Sequence, residues 1–254
     1  GSENGALLEA LDRFNDRIQA AFGFRLDVTT VDGYVDGAPF IAVGTIASNK
    51  LLQSLASSRK IPATVANPGP HGYILEVFPD GIAVAGSDYS GAVKGLLSLA
   101  MLLEQHYDRR IMHYLLVDYP DMPFRATAIR DAEILTEELA DRLVYFAAMG
   151  LSHLVVDSSA YFDLDDPVIA ARLQEVFAFA RNLGIEPVPL VNGYSNSERL
   201  IEICTEQGVD CSEGQNKTHY CPCEPHVYKV MRHTLENTVD LLHPTMIHLG
   251  HDNI

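Results

Sequence analysis

Apolar and polar positions at the start of the chain predict a helix, a strand and a second helix. Between Leu7 and Phe22, apolar residues recur every three or four positions, which is the spacing of an amphipathic helix. The apolar run Phe40–Thr45 is typical of a strand. Ser48-Asn49 predicts a cap for a helix over Lys50–Ala56, because short polar side chains accept hydrogen bonds from the first free backbone amides.

A hairpin and an apolar helix follow. Tyr73–Phe78 and Ile82–Ala85 are β-rich runs that flank Pro79-Asp80-Gly81, whose proline and glycine suit a turn. The run Gly91–His106 has the length and apolar content of a helix that lies across a sheet. We therefore expect a small α+β domain over residues 1–120, ending in a proline-rich segment that breaks regular structure.

From Arg125 the pattern changes to strands alternating with helices, which is typical of parallel βαβ units. Thr136 and Glu138 resemble a capped helix start, and Gly150 and Gly184 stand where helices end. Four such units over residues 121–254 fit either an open doubly wound sheet or half of a (β/α)8 barrel, and periodicity does not decide between them. The predicted strands are Ala126–Arg130, His153–Asp157, Glu186–Val191 and Thr245–Leu249, and the predicted helices are Thr136–Met149, Pro167–Leu183 and Val227–Leu242.

Polar residues follow each predicted strand of this second region. The strand exits carry Arg130-Asp131, Asp157, Asn192-Gly193-Tyr194 and the segment His248–Asn253. Because parallel strands present their carboxyl ends to one shared crevice, these residues predict a binding pocket. A plainer interpretation stays open, since any strand must re-enter solvent. His248 is equally well a core histidine, and Asp252 beside Asn253 equally well a cap or turn.

Charge narrows the classes of partner. The chain has 18 basic and 34 acidic residues and a net charge of −16, which repels nucleic acid and anionic membranes. No apolar run approaches the roughly 20 residues of a membrane span. No glycine-rich dinucleotide turn follows a strand, and we expect no cofactor. An extracellular or periplasmic location is slightly favoured.

The cysteines fall in one short polar stretch. They are Cys204, Cys211, Cys221 and Cys223. Their irregular spacing does not match paired zinc ligands, so we assign no metal site. A local disulfide between Cys204 or Cys211 and the Cys221/Cys223 pair, and free thiols in a loop, both remain open.

Several short motifs, in a demanding order, resemble family 20 glycoside hydrolases. The segment Met246–Ile254 reads Met-Ile-His-Leu-Gly-His-Asp-Asn-Ile, which is similar to the family's fourth barrel strand, typically His-Ile-Gly-x-Asp-Glu. Gly184–Val191 resembles the third strand, and Pro123-Phe124-Arg125 resembles the entry to the first. The hairpin and the helix after it look like the family's small N-terminal domain.

The resemblance implies an α/β fold, with a small α+β domain followed by a (β/α)8 barrel of which about four units are present. It implies substrate-assisted hydrolysis of terminal N-acetylhexosamine, the β-N-acetylhexosaminidase reaction, in a glycan-binding protein without metal or cofactor. Asp252 matches the aspartate that orients the acetamido group, and Arg125 matches an arginine that binds sugar hydroxyls. Asp157, Asn192 and His251 are further candidate substrate-binding residues.

Departures from the family pattern weaken the expected activity. Asn253 stands where the family has the glutamate that protonates the leaving oxygen, and an amide has no such proton to give. Arg130 stands where many members have aspartate, and the chain has no tryptophan to wall an acetamido pocket. We expect weak or absent activity, and whether the chain is an active enzyme stays open. The alternatives are a non-catalytic glycan- or partner-binding homologue and an unrelated open α/β enzyme.

A half barrel would need four more strands, about 120 residues at typical barrel size. Its open strand edges and apolar inner face would otherwise need cover from another chain, which predicts a homo-oligomer if the barrel is incomplete.

Overall fold

The computed structural model describes residues 2–30, 37–59, 68–105, 111–130, 134–194, 196–214 and 216–250, apart from the side chains at 2–6, 59, 216 and 217. It is a mixed α/β fold. In chain order the elements are α1 Ser2–Phe22, β1 Phe40–Thr45, α2 Lys50–Arg59, β2 Tyr73–Phe78, β3 Gly81–Gly86, α3 Tyr89–Gln105, β4 Tyr114–Asp118, β5 Ala126–Arg130, α4 Glu137–Ala148, β6 His153–Asp157, a 3-10 helix Ser159–Asp163, α5 Pro167–Asn182, β7 Glu186–Leu190, α6 Glu198–Glu206, β8 Ser212–Glu213, β9 Asn216–Tyr220 and α7 Pro225–Leu242.

The chain forms two compact units. Unit 1 comprises Gly1–Arg125 together with Leu143–Gly150 and Asn182–Gly184. Unit 2 comprises Ala126–Arg142, Leu151–Arg181 and Ile185–Ile254. The end of α4 therefore belongs to unit 1 and its start to unit 2.

Unit 1 is built on a four-stranded sheet of order β1-β3-β2-β4. β1 runs parallel to β3, while β2 is antiparallel to both β3 and β4. Alternate side chains of a strand face opposite sides, so β2 contributes to two apolar layers. The apolar layer between this sheet and α2 consists of Ala42, Ile46, Leu52, Leu55, Ile74, Phe78, Ala83 and Ala85.

Helix α3 covers the opposite face of this sheet. Asp88 caps it by accepting a hydrogen bond from the Gly91 amide at 2.8 Å. A Cβ at Gly95 would lie 2.7 Å from Val84 and 2.8 Å from the Tyr73 ring, so glycine permits the close approach of helix to sheet. Helix α1 packs on α3.

Unit 2 contains a parallel sheet of order β5-β6-β7. The fourth predicted strand is reduced to one parallel bridge between His248 and Leu190. Its hydrogen bonds run from the His248 amide to Pro189 and from the Val191 amide to His248, both at 2.9 Å. Spatial order thus follows chain order, and the described strands show no reversal of the kind an open doubly wound sheet requires.

The local start and stop signals of the helices are confirmed. Asn49 accepts from the amides of Leu51 and Leu52 at the start of α2. Thr136 accepts from the Leu139 amide at the start of α4. Gly150 and Gly184 adopt positive φ angles of 76° and 73°, where a side chain would be strained.

Some elements were not predicted. Helix α6 and the β8–β9 hairpin lie in the stretch interpreted as a polar loop, because α6 has 9 residues and β8 only 2. The periodicity of such short elements is weak. Strand β4 was also missed; it is mostly exposed and lies at the sheet edge. Within the described residues, no helix has both the length and the apolar character that a membrane crossing requires.

Candidate functional site

Three polar side chains form a row at the carboxyl ends of β5, β6 and β7. Arg130 Nε lies 3.1 Å from Asp157 Oδ2, and Asn192 Nδ2 donates to Asp157 Oδ1 at 3.4 Å. Arg130 and Asp157 face each other across the parallel pair β5–β6 because they are register partners. We call Arg130, Asp157 and Asn192 the strand-end row.

The strand-end row is open to solvent on one side. The Arg130 side chain is 81% exposed and that of Asp157 is 23% exposed. An ion pair this exposed is weakly held, so its groups can exchange partners with a ligand at low cost. The row offers a carboxylate acceptor between guanidinium and amide donors, which is suited to hydrogen bonding with hydroxyl groups.

Gly250 packs directly against this row. Its φ angle is +61°, and a Cβ there would lie 2.9 Å from Asn192 Oδ1. Its amide donates to His248 Nδ1 at 2.9 Å. His248 is exposed, so the interpretation as a core histidine is wrong, and its ring is already used to hold the turn that leads past Asn192.

The segment after β7 is held by backbone contacts and aromatic rings. Gly193 donates its amide to Leu249 at 2.8 Å, and its carbonyl accepts from the Tyr220 hydroxyl. The Tyr194 ring meets Tyr220 edge-on, with ring centroids 5.5 Å apart, and its hydroxyl donates to Glu213 at 3.0 Å. Half-buried Tyr194 thus stands on a fixed support two residues after Asn192.

Arg125 belongs to a different environment. It precedes the first residue of β5, at the amino end of the strand, whereas Arg130 closes the carboxyl end. Its Nε donates to the Gly150 carbonyl at 2.7 Å and its Nη1 donates to the Met122 carbonyl. Burial lowers the pKa of Arg125 from its usual range. Its role in sugar binding stays a prediction.

The remaining predicted site residues, His251, Asp252 and Asn253, lie outside the described residues. The convergence of Arg125 and Asp252 expected for a hexosaminidase-like pocket is therefore untested. Among the described residues, no group of three or more His, Cys, Asp and Glu side chains is arranged to hold a metal ion.

All four cysteines are free thiols. Cys204 and Cys211 are buried in an apolar cluster between α6, β9 and α7, and their thiols are in hydrogen-bond contact. Burial, followed by that contact, raises the pKa of Cys204 to about 12. Cys223 is exposed. The pairing considered from sequence, between the first and last two cysteines, is not formed here.

Sequence reasoning missed two features of chemical interest. Arg130 was noted only as a departure from a family pattern, and its pairing with Asp157 depends on strand register. Lys94 was read as part of an apolar helix, although a single charge within the run Gly-Ala-Val-Lys-Gly-Leu-Leu was a usable signal. Lys94 is 5% exposed.

Comparison with solved structures identifies glycoside hydrolases as structural neighbours. A chitobiase from Flavobacterium johnsoniae matches 97% of this chain with a TM-score of 0.64 and 15% identity, over 40% of its own length. A family 20 exo-β-N-acetylglucosaminidase from Vibrio harveyi, solved with N-acetylglucosamine, matches 87% of this chain with a TM-score of 0.59 and 14% identity, over 44% of its length.

A family 138 enzyme that targets pectin rhamnogalacturonan II matches 96% of the chain with a TM-score of 0.60 and 13% identity, over 29% of its length. The chain thus spans less than half the length of these structures. No protein-family model matches the sequence, and no curated protein matches it. At such identities the likeness shows a shared glycoside hydrolase-like α/β fold.

Proposed function

We propose that this chain is part of a β-N-acetylhexosaminidase-like glycoside hydrolase that binds a terminal N-acetylhexosamine at the carboxyl ends of β5, β6 and β7. Asn253 in place of the proton-donating glutamate makes its hydrolysis slow. The observation that carries the proposal is the strand-end row, because it gathers complementary polar groups from three consecutive parallel strands. Barrel enzymes bind substrate at this end of their strands.

Each member of the row has a defined part. Asp157 accepts hydrogen bonds from sugar hydroxyls, and Asn192 both donates and accepts. Arg130 orients Asp157 through the 3.1 Å contact. The half-buried Tyr194 ring offers an apolar face beside the row, suited to the C–H face of a pyranose ring.

The chemical step rests on the family resemblance. Asp252 orients the acetamido group, whose carbonyl attacks the anomeric carbon, and the carboxylate stabilises the positive charge that develops. The leaving oxygen must take a proton, and Asn253 has no titratable proton to give. Leaving groups that need no protonation should therefore be cleaved best.

Turnover tests the assignment of Asn253. The full protein, Asn253→Glu and the matched control Asn253→Gln are assayed with N,N′-diacetylchitobiose, whose sugar leaving group must be protonated, and the release of N-acetylglucosamine is measured. We expect Asn253→Glu to raise kcat about 100-fold, the lower range for a general acid, and Asn253→Gln to leave it unchanged. Equal turnover by the natural protein and Asn253→Glu would refute the assigned acid position.

Binding tests the location. Titration calorimetry with N-acetylglucosamine compares the full protein with Asp157→Asn and Asn192→Ala, and with Glu175→Gln as a control on the exposed side of α5. We expect about a tenfold loss of affinity for the two row variants, since each removes a hydrogen bond worth roughly 1.4 kcal/mol. Unchanged binding in both variants contradicts the proposed site.

A further inference from the structure

A cavity of about 190 Å³ lies within unit 1, and none of its lining residues belongs to the strand-end row. We call it the unit 1 cavity. Its polar lining comes from α3, β2 and the loop before it, β4 and the segment before β5. The polar lining residues are His71, Tyr73, Lys94, Ser98, Asp118 and Arg125.

Lys94 is the unusual member. It lies on α3, is 5% exposed, and its Nζ has no hydrogen-bond partner among the described residues. A buried ammonium group without a partner is costly, because burial strips its hydration without replacing it. Burial, and then the charge of Arg125, lowers the pKa of Lys94 to about 8, against the opposing effect of Asp88 and Asp118.

Most of the other polar groups in the cavity already have partners, whereas Lys94 has none within the described part of the chain. The Tyr73 hydroxyl pairs with Ser98 Oγ at 2.7 Å. Burial raises the pKa of Tyr73 to about 12, and Asp118 adds to this rise. Arg125 is fixed by its donations to two backbone carbonyls. Lys94 offers three donors.

Charge and shape together define a ligand. The unit 1 cavity has two cations, Lys94 and Arg125, against the single carboxylate of Asp118, in a chain whose net charge is −16. Its remaining wall is apolar and includes Pro120, Ala148 and Met149. A volume below the roughly 300 Å³ of drug-sized sites favours a small ligand. One negative charge and a compact organic body meet both requirements.

We propose that the unit 1 cavity binds a small organic carboxylate, up to the size of a monosaccharide acid, whose carboxylate pairs with the Lys94 ammonium beside Arg125. The pairing supplies the hydrogen bonds that Lys94 lacks, and it stabilises the protonated lysine that burial disfavours. The apolar wall holds the rest of the ligand. This site is independent of the proposed glycoside hydrolase function.

The test compares two ligands that differ only in the charged group. D-Glucuronate and D-glucose are titrated into the full protein at pH 7, together with inorganic phosphate as a non-organic anion. We expect millimolar or tighter binding of glucuronate and none of glucose or phosphate. Lys94→Met should weaken glucuronate binding at least tenfold, while Lys229→Met, at an exposed lysine on α7, should not.

Proton uptake gives a readout that does not depend on a variant. At pH 8 about half of a group with pKa near 8 is unprotonated, so pairing with the ligand should draw in up to about 0.5 proton per site. Calorimetry in HEPES and in Tris, whose ionisation enthalpies differ, measures this uptake. Binding of glucose as tight as glucuronate, tighter binding of phosphate, or glucuronate binding without proton uptake would overturn the proposal.

Discussion

The polar side chains of the two candidate sites differ in both burial and hydrogen bonding. In the strand-end row of unit 2, Arg130, Asp157 and Asn192 satisfy one another and remain accessible to water. In the unit 1 cavity, Lys94 is buried and its ammonium has no hydrogen-bond partner among the described residues. Exposed polar groups that already have hydrogen-bond partners cost little stability, and a ligand can replace those partners easily. An unsatisfied buried charge costs stability until something pairs with it.

The largest effect should come from removing the buried charge. Lys94→Met should raise the free energy of unfolding at pH 7 by up to about 3 kcal/mol, at 1.36 kcal/mol per unit between the ordinary pKa of 10.5 and the value of about 8. Urea denaturation measures this, with Lys229→Met as the exposed control. Destabilisation by Lys94→Met would show that Lys94 is already well paired.

The same lysine predicts a pH profile. Between pH 8 and 10.5 the unfolded chain still holds the Lys94 proton that the folded protein has released, so stability should rise with pH through this window and level off above it. The rise should be absent in Lys94→Met. Saturating glucuronate should also flatten it, because the ligand keeps Lys94 protonated in the folded state. A profile identical in the natural protein and the variant would contradict the lowered pKa.

Alanine substitutions at two glycines test the packing of the strand-end row, and we expect effects of intermediate size. Gly250 and Gly214 have nearly the same left-handed φ, 61° and 62°, yet a Cβ meets Asn192 only at Gly250 and nothing within 4 Å at Gly214. Gly214→Ala should cost about 1 kcal/mol for the conformation, and Gly250→Ala about 2 kcal/mol because of the added contact. Gly250→Ala should also weaken N-acetylglucosamine binding. Equal costs would show that Asn192 yields without strain.

The smallest effect concerns the row's ion pair. Arg130→Gln should change the free energy of unfolding by less than about 0.5 kcal/mol, because the arginine is 81% exposed. Arg199→Gln should cost more, since Arg199 joins Asp163, Glu202 and Glu206 in one network. Denaturation at low and high salt measures both. A larger loss at Arg130 would mean that the row is a structural device and weaken its assignment as a ligand site.

Much of the fold follows from local patterns. The strands Ala126–Arg130 and His153–Asp157 match the predicted bounds, because each is a short β-prone run that follows a proline or glycine, Pro123 or Gly150, where regular structure is interrupted. The caps at Asn49 and Thr136 were also readable, since capping depends on residues three apart. The predicted division at residues 120 and 121 stays a prediction, and the compact units change at Arg125.

The two candidate sites were harder to predict from the sequence, because each depends on contacts between residues that are far apart along the chain. Asp157 and Asn192 could be placed at strand ends, but their pairing required the β5–β6–β7 register. The fate of Lys94 depends on β2, β4 and the segment before β5, which approach α3 only in the folded chain. A buried lysine cannot be recognised from helical periodicity, because a long side chain can also reach water from an apolar face.

The labelling rate of the buried thiols reports how often the surrounding region opens. Cys204 and Cys211 have no exposed surface, and the pKa of Cys204 is raised to about 12 by burial, so alkylating reagents reach them only when the α6–β9 region opens. Exposed Cys223, on the same stretch of chain, reacts without such opening and reports the intrinsic reagent rate. The ratio of the two labelling rates, read by mass spectrometry from one sample, measures the opening equilibrium of this region directly.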